Sequence, residues 1–175
     1  MASEPRIGLI GAGYIATWHA DALKATPNVR IAAVCDVNET AAKGFAGRYG
    51  AQVFTSVDDL IASGSCDAVH ILTPPHLHRA LAIKCLEGGL DVLVEKPVAE
   101  SAAETREIEA AATKAGKRFC AGQHFRGIPP HQQMQQEMRP GAYGTVSSCT
   151  LRWALPLAPL RSRPQHSVLS CRPQN

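Results

Sequence analysis

Hydrophobic positions along this chain occur in two alternating patterns. Short apolar runs rich in Val, Ile and Ala, which are typical of buried strands, alternate with longer segments whose apolar residues recur at helical spacing. The predicted strands cover residues 6–10, 30–36, 51–54, 67–73, 91–95 and 117–122. The first predicted helix begins after residue 13, and the second covers 39–49. The third begins at Ser56, the fourth covers 76–89, and the fifth runs from Ser101 to about residue 114. This alternation predicts an α/β fold with a parallel sheet covered by helices on both faces.

Turn and capping signals mark the ends of several elements. Two capping boxes open the third and fifth helices: Ser56 with Asp59, and Ser101 with Glu104. Gly88–Gly89 is typical of a helix end, and Pro27–Asn28 ends the first helix. In that first helix Ile15, Trp18 and Ala22 share one face at helical spacing.

The bulk composition is that of a globular protein, with 45% hydrophobic and 19% charged residues. The 175 residues are enough for one well-cored domain of common size and not for two. No apolar stretch approaches the roughly 20 residues that span a bilayer, and the first residues lack the pattern of a secretory signal. We therefore expect a cytoplasmic protein with no membrane partner.

Six cysteines are spread along the chain without a C-x-x-C pair: Cys35, Cys66, Cys85, Cys120, Cys149 and Cys171. This spacing argues against a zinc ribbon or a dithiol redox site, so we predict no metal centre. Without a secretory signal, we expect the thiols to be reduced.

Charge is distributed unevenly along the chain. The formal net charge is +3, yet all 15 acidic residues lie at or before Glu137, and residues 138–175 contain five arginines and no acid. Basic tails can bind nucleic acid. Because these arginines are scattered among Pro, Ser and Leu with no Lys, we expect no nucleic-acid partner.

A glycine motif, GAGYIA, follows the first strand and opens the first helix. Gly11 permits the tight turn, Gly13 lets the backbone approach a pyrophosphate, and Ala16 lets helix and strand pack closely. Asp36 ends the second strand, where a carboxylate accepts hydrogen bonds from the adenosine ribose and repels a 2′-phosphate. The pattern predicts a doubly wound, Rossmann-type sheet that binds NAD, with NADP less favoured; the alternative is a plain glycine turn and a solvated aspartate.

The fourth strand ends at the segment TPPHLH, residues 73–78. Its prolines stop the strand and place two histidines in the first turn of the next helix. His76 and His78 do not form a metal pair, because positions i and i+2 do not face each other on a helix. His78 is a candidate site residue, and a polar first-turn histidine is the other interpretation.

The fifth strand ends at the segment VEKPV, residues 94–98. In a doubly wound sheet the ends of strands one, four and five surround the cofactor crevice, so Lys96 would project where the nicotinamide lies. There a lysine can hydrogen-bond a substrate hydroxyl or act as an acid or base. A solvated lysine at the start of a loop is the competing interpretation, and the Lys96–Pro97 bond is a candidate cis peptide.

The motifs GAGYIA, Asp36, TPPHLH and VEKPVA, in this order and spacing, resemble the Gfo/Idh/MocA oxidoreductases, the group of glucose–fructose oxidoreductase and inositol dehydrogenase. The resemblance covers about residues 5–153. It implies an N-terminal half that binds NAD or NADP, and a lysine, Lys96 here, that contacts substrate and cofactor. It also implies that residues 123–126, QHFR, cross into a second domain with Arg126 near cofactor or substrate; His124 stands where the family usually has asparagine.

The family's second domain supplies an aspartate and a histidine in a D-x-x-x-H arrangement, and the family is typically about twice this length. This chain has no aspartate after Asp91. We therefore expect a Rossmann domain at 1–122, only the beginning of a second α+β domain at 123–153 with a strand at 145–153, and a disordered or aberrant tail rich in Pro and Arg at 154–175. The composition of that tail is what a shifted reading frame would give.

Together the motifs and the resemblance predict one catalytic residue, Lys96, and a set of cofactor-binding residues. These are Gly11, Gly13, Tyr14, Ile15, Asp36, Thr73, Pro74, His78, Glu95, Lys96 and Arg126. The expected function is hydride transfer between a nicotinamide cofactor and a sugar, polyol or related small alcohol. The alternative is a truncated chain that binds dinucleotide without turnover. An oligomer is possible in full-length relatives and doubtful for this chain.

Overall fold

The computed structural model describes residues 4–139 together with 141, 144, 145, 147, 148 and 150. Contacts within the chain divide it into two units, Met1–Ile128 and Pro129–Asn175. Most of the predicted strand at 145–153 and the whole tail at 154–175 lie outside the described residues. The first unit contains every strand described below.

Six strands form one sheet in the order β3-β2-β1-β4-β5-β6, and every pairing is parallel. The strands are β1 Arg6–Ile10, β2 Arg30–Cys35, β3 Gln52–Phe54, β4 Ala68–Ile71, β5 Asp91–Val94 and β6 Phe119–Ala121. All six lie within the predicted segments, and the doubly wound parallel sheet is confirmed. Because the chain order reverses between β1 and β4, the carboxyl ends of these two strands border the crevice in which such sheets bind ligands.

Five helices connect the strands, and a sixth follows in the second unit. They are α1 Tyr14–Ala25, α2 Glu39–Ala46, α3 Val57–Ala62, α4 Pro75–Glu87, α5 Ala102–Ala115 and α6 Pro129–Met138. A short 3₁₀ helix, His124–Gly127, follows β6. Neither it nor α6 was predicted, although Pro129 and Pro130 occupy the first helical turn, where proline is favoured.

Helix caps follow the predicted capping residues. The Ser56 hydroxyl accepts from the Asp59 N–H at 3.4 Å, and the Ser101 hydroxyl accepts from the Glu104 N–H at 3.2 Å. In return, the Glu104 carboxylate accepts from the N–H of Glu100, one residue before the cap, at 3.0 Å. The starts of α3 and α5 are therefore stabilised by the side chains of their own cap residues.

Two apolar clusters cover the two faces of the sheet. One contains Ile71, Val94 and Ile108, and packs α4 and α5 on the sheet; the other contains Leu9 and Ala16, and packs α1 and α2. Within α1 the fully buried residues are Ala16 and Ala20. The small side chains let this helix lie close to the sheet.

The apolar stripe that the sequence places on α1 is not the buried face of that helix. Trp18 remains 61% exposed, and Ile15, Trp18 and Ala22 line an open cavity instead. A stripe at this spacing is ordinarily the core-facing side of a helix. Here the alanines on the neighbouring face contact the sheet.

The four cysteines in the described part of the chain are free thiols, three of them buried. Burial raises the pKa of Cys35 to about 11 and that of Cys85 to about 12. Both thiols therefore remain protonated at neutral pH and are packing residues. No helix among the described residues has the length and apolar character needed to cross a membrane.

Candidate cofactor and active site

The glycine turn after β1 has the backbone geometry that its sequence requires. Gly11 has φ +102°, and a Cβ on it would lie 3.0 Å from the carbonyl of Leu72, so only glycine fits. A Cβ on Gly13 would meet no atom within 4 Å. The turn is thus tight at its first glycine and open at its second, and the open side leaves room for a ligand.

The N-terminus of α1 is uncapped by any side chain. Gly13 is its cap residue, and no acidic residue lies in its first turn. By contrast, α2, α3 and α5 each have a side-chain cap and an acidic residue there. The first turn of α1 thus supplies no acidic side chain of its own, and its uncapped N–H groups suit a phosphate.

Asp36 follows β2 directly and accepts two backbone hydrogen bonds. One carboxylate oxygen accepts from the Ala12 N–H at 2.8 Å and the other from the Asn38 N–H at 2.9 Å. The first bond ties the end of β2 to the glycine turn. Each oxygen keeps a further lone pair, so a ribose contact remains possible and stays a prediction.

Thr73 lies beside the glycine turn at the end of β4. The distance from a Cβ on Gly11 to the Thr73 nitrogen would be 3.3 Å, which shows how close the two turns approach. The Thr73 hydroxyl is buried and has no hydrogen-bond partner. Buried hydroxyls are rarely left unpaired, and a bound water or a polar group of a ligand would satisfy this one. Pro74, the next residue, is the cap of α4.

His78 joins the two turns that follow β4 and β5. Its ring is buried, with one nitrogen 2.7 Å from the Thr73 carbonyl oxygen and the other 2.9 Å from the Pro97 carbonyl oxygen. Both nitrogens face backbone carbonyl oxygens, and a neutral ring, which has one N–H, donates to one of the two. The arrangement positions Thr73 and Pro97, and a direct cofactor contact by His78 stays a prediction.

Glu95 and Lys96 lie at the end of β5 in opposite environments. Glu95 is buried, whereas the Lys96 side chain is exposed. One Glu95 oxygen accepts from the Lys96 backbone N–H at 2.9 Å. The Lys96–Pro97 peptide bond is cis. A Cβ on Gly122 would lie 3.2 Å from the other Glu95 oxygen, so glycine in the β6 turn leaves room for this carboxylate.

Two histidines that the sequence did not single out contact this carboxylate in series. His19 of α1 has its Nε2 3.0 Å from Glu95 Oε1 and its Nδ1 3.0 Å from Nδ1 of His70 in β4. Burial, together with the charge that His19 can bear, lowers the pKa of His70 to about 4. The register of β4 and β5, which the sequence does not give, places His70 beside Leu93, two residues before Glu95 and on the same face of the sheet.

An apolar cavity of about 650 Å³ lies between α1 and the ends of β5 and β6. Its wall includes the α1 stripe together with Leu93, Gly122 and His124, and the polar edges of His19 and Glu95 open into it. The cavity gives the paired His19 and Glu95 access to solvent.

The remaining predicted residues are placed as follows. Tyr14 is 59% exposed at the first turn of α1, and its ring contacts that of Trp18 edge to face. Ile15 lines the cavity. Arg126 is exposed on the 3₁₀ helix after β6. Within the described ranges, no group of three or more His, Cys, Asp or Glu is arranged to hold a metal ion.

Comparison with known proteins gives a family match over most of the chain. The family model GFO_IDH_MocA, an oxidoreductase family with an NAD-binding Rossmann fold, matches residues 5–123. The inositol 2-dehydrogenase of Rubrobacter xylanophilus is 35% identical over 140 residues, which is 79% of this chain and 40% of the relative. The D-glucoside 3-dehydrogenase of Escherichia coli is 30% identical, covering 87% of this chain and 44% of the relative.

Solved structures agree with the sequence comparison. The WlbA dehydrogenase of Bordetella pertussis, in complex with NADH and UDP-GlcNAcA, superposes with a TM-score of 0.79 at 28% identity, covering 82% of this chain and 42% of that one. An oxidoreductase from Agrobacterium radiobacter in complex with NAD+, L-tartaric acid and magnesium gives a TM-score of 0.76 at 26% identity, with 82% and 42% covered. The chain thus spans less than half the length of the proteins it matches.

The low pKa of His70 leads to a pH prediction. Its folded value of about 4 lies below the ordinary 6.5, so neutral His70 contributes stability above that range. This contribution is lost as pH falls from 6.5 to 4, because the unfolded chain takes up the proton and the folded chain does not. We expect the loss to reach no more than about 3 kcal/mol, measured by urea unfolding across this window.

His70→Leu should flatten the fall in stability over this window, because it removes the titrating ring. His76→Leu, which removes an exposed histidine of α4, is the matched control and should keep the wild-type slope. An unchanged slope in His70→Leu would contradict the assignment.

Proposed function

This chain belongs to the GFO_IDH_MocA oxidoreductase family, and we propose that it binds NAD and takes part in hydride transfer with a sugar, polyol or related small alcohol. The observation that carries the proposal is the glycine turn after β1, which is open at Gly13 and begins a helix without a side-chain cap. Backbone N–H groups at such a helix start can bind a phosphate, and the ends of β1 and β4 are where a doubly wound sheet binds a ligand.

The residues at this edge fit a dinucleotide in three respects. The space in front of Gly13 and the uncapped end of α1 fit a pyrophosphate. The Asp36 carboxylate has lone pairs left for ribose hydroxyls. We propose that Tyr14, Ile15 and Pro74 add contacts from the same two turns, and that Arg126 adds one from the 3₁₀ helix.

Hydride exchange with a carbon of the substrate is the chemistry that a bound nicotinamide supplies. We propose that Lys96, the catalytic residue of the set, hydrogen-bonds the substrate oxygen, since its exposed side chain leaves the end of β5. An ammonium there stabilises negative charge that develops on this oxygen. Glu95 and His78 support Lys96 from within the protein, through the backbone of residues 96 and 97.

The substrate class and the setting are inferences from relatives. Inositol 2-dehydrogenases and a D-glucoside 3-dehydrogenase are among the proteins that this chain resembles. We propose a small sugar or polyol substrate, a cytoplasmic setting, and no nucleic-acid or membrane partner. We also propose that a Rossmann domain at 1–122 is followed by the beginning of a second domain at 123–153.

A second candidate is a dinucleotide-binding chain without turnover. The observation that favours it is that this chain spans 40% of the length of the inositol 2-dehydrogenase that it matches, and that its 175 residues include no aspartate after Asp91. Binding and turnover measured together separate the two candidates.

Gly13→Leu should weaken NADH binding at least about tenfold, because the side chain would fill the space left for the phosphates. Gly44→Leu, at another glycine whose Cβ would meet no atom within 4 Å, is the matched control and should bind normally. Fluorescence titration with NADH measures both. Equal binding by the two variants would place the cofactor elsewhere.

NADH should bind at least about tenfold more tightly than NADPH, because Asp36 repels a 2′-phosphate. Asp36→Asn removes the charge and should reduce the preference for NADH over NADPH; because its amide nitrogen cannot accept, it also loses one of the two backbone hydrogen bonds of this side chain. Titrations with both cofactors test this. A wild-type preference for NADPH would overturn the assignment of NAD.

Lys96→Met should weaken NADH binding about tenfold, because Lys96 is also a proposed cofactor contact, and should abolish reduction of NAD by a panel of polyols and sugars, because the ammonium acts at the substrate oxygen. Lys114→Met, at another exposed lysine, should retain full turnover. If the wild-type chain binds NADH and turns over no member of the panel, the second candidate is supported. Turnover that survives in Lys96→Met would exclude a catalytic role for this lysine.

A further inference from the structure

Three side chains from three separate elements form a line of contacts that ends at the backbone of Lys96. His70 in β4 contacts His19 in α1 at 3.0 Å, and His19 contacts Glu95 at the end of β5, also at 3.0 Å. The second Glu95 oxygen accepts from the Lys96 N–H at 2.9 Å. The side chains of His19 and Glu95 are only 16% and 10% exposed.

Above the pH range in which imidazoles titrate, where both rings are neutral and the carboxylate is ionised, the chemistry of the four groups fixes the direction of every hydrogen bond in this line. An ionised carboxylate only accepts, so His19 must donate from Nε2 to Glu95. A neutral imidazole has one donor and one acceptor, so Nδ1 of His19 must accept. The donor to it is then the Nδ1–H of His70. The low pKa of His70 keeps that ring neutral at physiological pH, which this order requires.

We propose that His70 and His19 are positioning residues for Lys96, acting through Glu95 by this ordered line of hydrogen bonds. We name the line the His70–His19–Glu95 relay. Its effect on Lys96 is through the backbone, because the lysine side chain is exposed and the relay contacts only its N–H. The consequence for cofactor binding rests on the function proposed above; the relay itself does not.

His78 makes the same backbone segment rigid from the opposite side. It contacts the carbonyl of Pro97 at 2.9 Å, so residues 96 and 97 are held by a buried side chain on each side. Without Glu95 and its two histidines, only the His78 contact would remain. We therefore expect removal of the relay to loosen the backbone at Lys96.

Glu95→Gln gives the sharpest test, because it should reverse the relay. The carbonyl of the introduced amide must accept from the Lys96 N–H, so the amide nitrogen faces His19 and can only donate. His19 Nε2 then accepts, His19 Nδ1 donates, and His70 must carry its proton on Nε2. Side-chain ¹⁵N spectra of the full chain at about pH 8, above the ordinary range of imidazole titration, report both tautomers.

In the wild-type chain we expect the Nδ1–H tautomer for His70 and the Nε2–H tautomer for His19. In Glu95→Gln both should switch, and in Glu87→Gln, the same change at an exposed carboxylate, neither should. The Nε2–H form of His70 in the wild type, or a failure to switch in a folded Glu95→Gln, overturns the relay.

A second measurement tests positioning itself without any cofactor. Hydrogen exchange of the Lys96 backbone amide should quicken about threefold to tenfold in His70→Leu, the effect expected when one hydrogen bond of the line is lost. His70→Asn keeps a side-chain N–H donor and should exchange at close to the wild-type rate. Equal exchange in all three chains would overturn the positioning role.

NADH titration of the same variants measures the consequence of positioning. We expect His70→Leu to bind NADH about threefold to tenfold more weakly and His70→Asn to bind it normally. If the wild-type chain does not bind NADH, the proposed function fails, and the relay is still decided by the tautomers and by amide exchange. Normal NADH binding by His70→Leu would overturn the link from the relay to the cofactor.

Discussion

The buried carboxylate of Glu95 is the constraint on which the candidate site depends. Removing a carboxylate from water costs several kcal/mol unless it is paired and hydrogen-bonded. In this chain the partners are the His19 ring and the Lys96 N–H, supplied by α1 and by the turn after β5. Gly122 in the β6 turn leaves the space that the carboxylate occupies. Satisfying one side chain therefore fixes a helix and two strand ends relative to one another.

A second buried side chain closes the site from the other face of the sheet. His78 contacts the carbonyls of Thr73 and Pro97 and so connects the turns after β4 and β5. The site is therefore held by buried side chains that contact the backbone of its turns, which is the arrangement expected of a preformed binding site.

Local signals in the sequence predicted the sheet, most of the helices and the strand ends that carry the motifs. Gly11 and Ser101 act through the backbone of their own turns, so their roles follow from short-range spacing. The pairing of His19 with His70 depends on how a helix packs on a sheet, which spacing along the chain does not report. Helix α6 was missed because its Gln-rich sequence has no apolar period, although Pro129 is typical of the first residue of a helix.

The alternation of side chains along β5 explains why the groups that hold the Lys96 backbone lie apart from the Lys96 ammonium. Leu93 and Glu95 both line the cavity beside α1, as residues two apart on a strand must, whereas Val94 between them is buried in the cluster on the other face. Lys96 follows at the point where the strand has ended, and its side chain is exposed. We therefore expect a change on the α1 side to reach the lysine through its backbone N–H, which the Glu95 carboxylate holds.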